Sequence, residues 1–413
     1  MDLDHGDGSL RVDQPGGTPA HALGQGEGNR LKGCARRREV AENLRRNGNP
    51  SHARKGGRTS MKKNLTLIPA VVLLGLSLAL SPAEGAEKVT LKLNWVPGGD
   101  HCFYFAAKEK GFYKEKGLDV TIERGQGSGD TVKRVELNTV DVGLADTGTL
   151  AVARSKEAKV KVIAMIYSKS PNGIKTWKGS GITKPKDLEG RKVGVPPGDA
   201  QRVLWPALAA ANQIDMNKVT LINIQPSAKA QSLAAKQVDA VFDWIVGNQQ
   251  YWEAGLDREK LVLIPWARWG VNPYGNALMA SEKTIRERAD MLRKFLEATM
   301  QGWKWAIENP EAANEIFVKS NPEVPLLAAL TRFADDLHGL VDVPMNQKNR
   351  LGWIDKARME ETVSILNKYF QVERPVTAQE MYTVEFLPDI KMPSIDRIPP
   401  VDQLYRKWES QKK

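Results

Sequence analysis

The sequence predicts an α/β protein of two lobes with a helical C-terminal part. Three observations point there. From Val89 onward, short apolar strands alternate with helices of about 10 to 15 residues, the pattern of α/β units with parallel strands. After an irregular stretch the pattern restarts near residue 181, so a second α/β block follows the first. Beyond Ala280 the chain reads as almost continuous helix. Such a plan suits a hinged, two-lobed molecule.

The first 86 residues stand outside this pattern. Residues 1–60 are rich in Gly, Arg and Asn and nearly free of apolar periodicity, so they are expected to be a disordered extension. Their simplest account is upstream sequence, with Met61 as the start. Residues 61–86 have the layout of a secretory signal peptide. Lys62 and Lys63 are basic, 65–80 is an apolar run, and 83–86 offers small residues for cleavage. A retained membrane anchor is the alternative; the run is short for a spanning helix. No cysteine sits at the expected cleavage point, which leaves a lipid anchor without support.

Charge and cysteine count exclude several classes. The chain of 413 residues carries +11, but the leader holds 13 Lys and Arg against 8 Asp and Glu, so the remainder carries +6. A mild charge spread along the chain makes no case for nucleic acid. Cys34 lies in the leader, and Cys102 alone can form neither an internal disulfide nor a thiolate metal site. Three of five histidines also lie in the leader, leaving His101 and His338. No metal centre and no cofactor is expected.

The elements follow in order. Residues 89–95 alternate as a strand, and 102–110 read as a helix ended by Gly111. A strand over 118–123, a helix over 129–137, a strand over 140–145, a helix over 147–157 and a strand over 160–167 complete the first block. Residues 175–190 read as irregular. Strands over 192–195, 219–224, 238–244 and 261–265 then alternate with helices over 200–213, 228–237 and 248–254. Residues 276–280 form one more strand, and helices fill 282–305, 311–319, 326–338 and 356–370. The proline-marked tail from 388 wraps the surface.

The segments NWVPGGDHCFYFAAKEKGFYKEKGLDVTIERG, NTVDVGLADTGTL, KPKDLEGRKVGVPPGD, QVDAVFDW and YGNALMAS, taken in order, resemble the periplasmic substrate-binding proteins of ABC importers. The nearest branch holds binders of nitrate, sulfonates, taurine and pyrimidine precursors. The resemblance covers nearly all of residues 88–388. It implies the two-lobed periplasmic-binding-protein fold, type II-like, with hinge-linked lobes. Lobe 1 would be 88–180 plus 273–388, lobe 2 would be 181–272, and 389–413 a tail. Ligand would sit between the lobes outside the carboxyl ends of the strands, and closure would be a hinge motion.

Candidate ligand residues sit at those strand ends. Trp95 offers a flat apolar wall, and Gly99 lets backbone approach a ligand; Trp95 capping the lobe core is the other reading. His101 follows, as a ligand group or as a helix-start histidine. Ser128 lies in a glycine-rich turn before a helix, a place that binds polar ligand atoms readily. Asp146 and Thr147 begin the next helix, where Thr147 serves equally as an N-cap. Asp199 and Gln201 hold the matching place in the second block, Asp199 again with an N-cap reading. Asp243 and Trp244 end a strand. The resemblance adds Tyr274 and Asn276, where the chain returns to the first lobe.

Arginine is the expected partner of a sulfonate or carboxylate. None lies in these loops; Arg124, Arg202 and Arg268 are nearest, while Asp100, Asp146, Asp199 and Asp243 fall at strand ends. An acidic, tryptophan-containing cleft suits a pyrimidine-like or other aromatic heterocycle; nitrate, taurine and alkanesulfonates are the alternative. The same fold family includes a pyrimidine-phosphate synthase that consumes its own histidine and needs an iron-binding cysteine cluster. Here the corresponding loop, VPPGDAQRVLW, has no cysteine. No other catalytic motif appears. The chain is therefore read as a monomeric, periplasmic binding protein that hands a small molecule to an ABC permease, and not as an enzyme.

Overall fold

The structure is a computed structural model and describes residues 85–341, 349–370, 372 and 374–411. The expected extension and most of the expected signal peptide, residues 1–84, lie outside them. Among the described residues, no helix is long and apolar enough to cross a membrane.

Among the described residues, ten strands build two five-stranded sheets. The first sheet takes β1 (Glu87–Lys92), β2 (Leu118–Glu123), β3 (Val142–Asp146) and β4 (Val160–Met165). The second takes β5 (Asn172–Trp177), β6 (Lys192–Gly194), β7 (Thr220–Ile222), β8 (Ala240–Trp244) and β9 (Leu261–Pro265), and β10 (Asn276–Ser281) returns to the first. Their orders are β2-β1-β3-β10-β4 and β7-β6-β8-β5-β9. The two orders are one topology used twice. In each, three parallel strands lead to an antiparallel strand delivered from the other sheet, β10 or β5, and a last strand lies beyond it.

Two expectations are corrected here. The sheets are mixed, not parallel, because each crossing strand enters its new sheet from the opposite end. And β5 falls where no strand was expected, its second half inside the stretch read as irregular; it pairs with β8 and β9. The change from first sheet to second therefore falls over residues 166–171, ahead of the expected boundary at residue 180. Residues 270–275 carry the chain back.

Local chemistry explains why helices start where strands end. Asp146 caps the helix Thr147–Ser155 by accepting the Thr149 N–H at 2.7 Å. Asp199 caps Ala200–Ala211 by accepting the Gln201 N–H at 2.9 Å. Each side chain satisfies an amide that the helix itself leaves unpaired.

Val89, Leu91 and Leu93 alternate into the first core, beneath the helices Cys102–Glu109 and Ala289–Glu308, where Phe103 stacks on Trp303 at 5.3 Å. The second core centres on Phe242, packed between Trp205 and Trp266 at 5.2 Å from each. Trp205 is thus a core residue. The helix expected over 282–305 breaks at Arg288, which turns out to pair with Glu87 and Asp141. The tail ends in a helix, Val401–Gln411, whose Leu404 joins the first core.

Candidate functional site

Between the strand ends of the two sheets lies a cleft of about 420 Å³. Its first wall follows β1, where Asn94, Trp95 and the turn through Gly99 continue the strand. Ser128 enters from the start of the helix Ser128–Glu136. The facing wall carries Asp199 and Gln201 at a helix start and Asp243 and Trp244 at the end of β8. Lys229 joins them from the helix Lys229–Ala234, and Arg332 from Leu326–Leu340. One indole therefore comes from each sheet, and both are half-buried. Two helix starts, one beside each sheet, touch backbone to backbone next to the cleft, where the Gly129 N–H donates to the Gly198 carbonyl at 3.2 Å.

Five carboxylates and two cations line the cleft among the described residues. Their pairing matters more than their number. The Lys229 ammonium is buried 2.6 Å from Asp199 Oδ2 and 3.3 Å from Asp243 Oδ1, and stands 4.6 Å over the Trp95 ring. Burial alone would lower its pKa; the two carboxylates overrule that and raise it, so Lys229 stays charged. Asp243 also accepts from Tyr251 Oη and from its neighbour's Trp244 N–H, and Lys175 Nζ lies 3.8 Å away. Burial pushes its pKa up, but Lys229, Lys175 and the Tyr251 bond pull it down to about 2. The Lys175 ammonium, wholly buried in β5, is pulled down by that burial to about 8.

A second network closes the other side. Arg332 pairs with Asp336 at 2.9 Å and Asp100 at 3.4 Å, and its guanidinium lies 4.9 Å over Trp244. The cleft is acidic on balance, as expected, but the arginine looked for in the strand-end loops comes from a distant helix instead, and Lys229 adds a second cation to the lining. Of the arginines nearest in sequence, Arg124 and Arg268 are exposed, and Arg202 is tied to Val195 and Asn223.

Trp95, Gly99, Ser128, Asp199, Gln201, Asp243 and Trp244 all line the cleft. His101, Asp146, Thr147, Tyr274 and Asn276 do not. The His101 ring is buried, its Nδ1 accepting from the Gly98 N–H and its Nε2 facing Asn94 Oδ1 at 3.0 Å. Burial lowers its pKa, so it shapes the turn as a neutral ring. Thr147 Oγ1 donates to the Tyr274 carbonyl, and Tyr274 Oη accepts from the Asp355 N–H, so this pair pins the returning crossing. Asn276 and Asp146 face each other across β10 and β3, buried. Gly99 is needed for a reason other than ligand approach: a Cβ there would fall 1.8 Å from the Ala329 carbonyl oxygen.

Comparison with known proteins gives this architecture its family. The NMT1/THI5 like family model matches residues 99–313, more than half of the chain. The chain belongs to the NMT1/THI5-like family. It is 24% identical over 326 residues to the formylaminopyrimidine-binding protein of Halalkalibacterium halodurans, covering 78% of this chain and 98% of that one. It is 33% identical over 248 residues to a 4-amino-5-hydroxymethyl-2-methylpyrimidine phosphate synthase of Saccharomyces cerevisiae, covering 58% of this chain and 72% of that one. A solved Candida albicans protein, described as having the generic periplasmic binding protein fold, superposes with a TM-score of 0.51 at 18% identity, over 68% of this chain and 89% of that one. The fold is that of the two-lobed periplasmic binding proteins.

Within this NMT1/THI5-like chain, sequence reasoning missed the helix residues Gln249, Gln250 and Glu253 and, of most consequence for the charge of the cleft, both basic residues. Lys229 follows Pro226, Ser227 and Ala228 and reads as one more solvated lysine at a helix start. Arg332 lies far down the chain on a helix of the first core. Only tertiary structure brings them to the cleft. Among the described residues, no group of His, Cys, Asp and Glu could hold a metal ion.

Proposed function

We propose that this chain is the solute-binding component of an ABC importer, capturing a planar heterocycle in the cleft walled by Trp95 and Trp244. One observation carries the reading: the two sheets, linked by two crossings of the chain, each present an indole at a strand end to one shared cavity. Two aromatic faces suit a flat ring, since stacking adds about 0.5–1.5 kcal/mol beyond area burial. The formylaminopyrimidine-binding relative and a riboflavin-binding relative from Chloroflexus aurantiacus carry names of the same ligand class. An alkanesulfonate or nitrate is less well served, because both lining cations already hold carboxylates. The chain would act as a monomer outside the cytoplasmic membrane, delivered by residues 61–86, and hand its ligand to a permease.

The synthase of Saccharomyces cerevisiae supports an enzymatic alternative by its identity alone. The cleft argues against it. The loop ahead of Asp199 carries no cysteine, Cys102 is buried, and His101 is enclosed rather than presented to the cleft.

The test is a thermal-shift screen of residues 87–413 against pyrimidines, flavins, taurine, alkanesulfonates and nitrate. Ligand at about a hundred times its Kd adds roughly 2.7 kcal/mol, a clear rise in midpoint. A heterocycle should produce it, and Trp95→Ala should abolish it. A shift with sulfonate or nitrate alone would refute the heterocycle while keeping the transport role.

A further inference from the structure

Trp95, Asp199 and Asp243 form a cation's place. An indole face and two carboxylates converge on one point, and such groupings hold quaternary and primary ammonium ions well. In this chain the point is taken by Lys229 from within, 2.6 Å and 3.3 Å from the carboxylates and 4.6 Å from the ring centroid. The occupant is tethered and buried, 3% exposed, and it lines the cleft beside the ring that a ligand would use. A free cation seeking these groups would have to expel an ammonium already paired with both acids.

We propose that Lys229 is a specificity-determining residue: it fills the cation site of Trp95, Asp199 and Asp243, so that the cleft admits neutral heterocycles carrying an acceptor and turns away cationic ones. This rests on the heterocycle reading above. Two of the three ammonium protons point to carboxylates, leaving the third for a ring nitrogen or carbonyl of the ligand. The charge is balanced below the cleft as well. Lys175 faces Asp243 from the far side, completing an alternating row of Asp199, Lys229, Asp243 and Lys175. No carboxylate of that row is left for a ligand amine.

The experiment uses probes matched in shape: 2-quinolone, neutral with a carbonyl, and 1-methylquinolinium, a cation. Titration calorimetry on the wild-type protein should show 2-quinolone binding at least about tenfold more tightly, the scale of one lost cation–π or charged hydrogen bond. Lys229→Met should reverse that order. A second arm needs no heterocycle: Lys229→Ala should gain thermal stability from millimolar methylammonium, while the wild type should not. Equal binding of both quinoline probes to the wild type would overturn the proposal, whether or not the variants fold. So would a folded Lys229→Ala protein that ignores methylammonium. If neither quinoline binds but methylammonium rescues Lys229→Ala, the cation site stands and the heterocycle reading fails.

Discussion

At the scale of single residues, the buried charges differ in what they do for the fold. Asp243 has its carboxylate stabilised by Lys229, Lys175 and Tyr251, so its contribution is present above the usual carboxylate range and is lost as pH falls towards 2. Asp146 is the opposite case. Burial raises its pKa to about 6, with the Asp199 charge adding to it, and the bonds from Thr149 only partly compensate. Its Oδ2 is buried with no hydrogen-bond partner among the described residues. A raised acid binds its proton more tightly in the folded state, so stability falls as pH rises from about 4 to 6 and stays lower above. Asp146→Asn keeps an N-cap acceptor and removes the charge. The variant should therefore be more stable than the wild type at pH 7.5, by on the order of 1–3 kcal/mol, and no more stable at pH 4. Urea midpoints at the two pH values check this. A wild type that is the more stable at pH 7.5 would show that the Asp146 charge has a partner worth more than its burial costs.

Elements were legible wherever local pattern decides them. The strands over 118–123 and 261–265 match their expected limits because local pattern marks both ends: alternation between Gly117 and Gly125 in the first, an apolar run between the charged residues 257–260 and Pro265 in the second. β5 carries no local mark of a strand, since Pro171, Asn172 and Gly173 at its start are residue types that favour turns. It is a strand through its neighbours, with Gly173 registered against both Asp243 and Pro265. The glycine turns were recognised as helix starts, but their reason is tertiary. Gly127 has φ 131°, a region glycine alone enters readily, and a Cβ there would sit 2.0 Å from the Gly198 carbonyl oxygen. At Gly129 the same atom would meet that oxygen at an ordinary 3.4 Å. Gly127→Ala should thus cost about 1–3 kcal/mol and weaken capture of 2-quinolone, because the two loops must part. Gly129→Ala, in the first turn of its helix, should leave both quantities nearly unchanged. Thermal midpoints and calorimetry on the pair decide it; equal effects would mean that the loops do not need their close approach.

For the whole molecule, the two crossings alone would leave the lobes free to rock, and two helices limit that freedom. Asp335 on Leu326–Leu340 accepts the Gly247 N–H at 2.7 Å, tying this helix to the loop after β8. The C-terminal helix Val401–Gln411 reaches further. Leu404 belongs to the first core, while Tyr405 and Trp408 pack on Trp252 at 4.5 Å and 5.6 Å and Asp402 pairs with Arg258. Trp252 lies on Gln249–Glu253, of which Gln249, Gln250 and Glu253 line the cleft. Sequence reading took this tail for a surface wrap because its partners lie about 150 residues earlier, beyond any local pattern. If the helix holds the closed arrangement, Tyr405→Ala with Trp408→Ala should weaken ligand binding without dissolving the first core, whose Leu404 remains. Aromatic contacts of about 0.5–1.5 kcal/mol each predict a loss of roughly tenfold in affinity. Small-angle scattering should then show a wider ligand-free molecule that contracts when ligand is added. A double variant that melts earlier but binds with unchanged affinity would make the helix a plain part of the core, with closure set by the cleft alone.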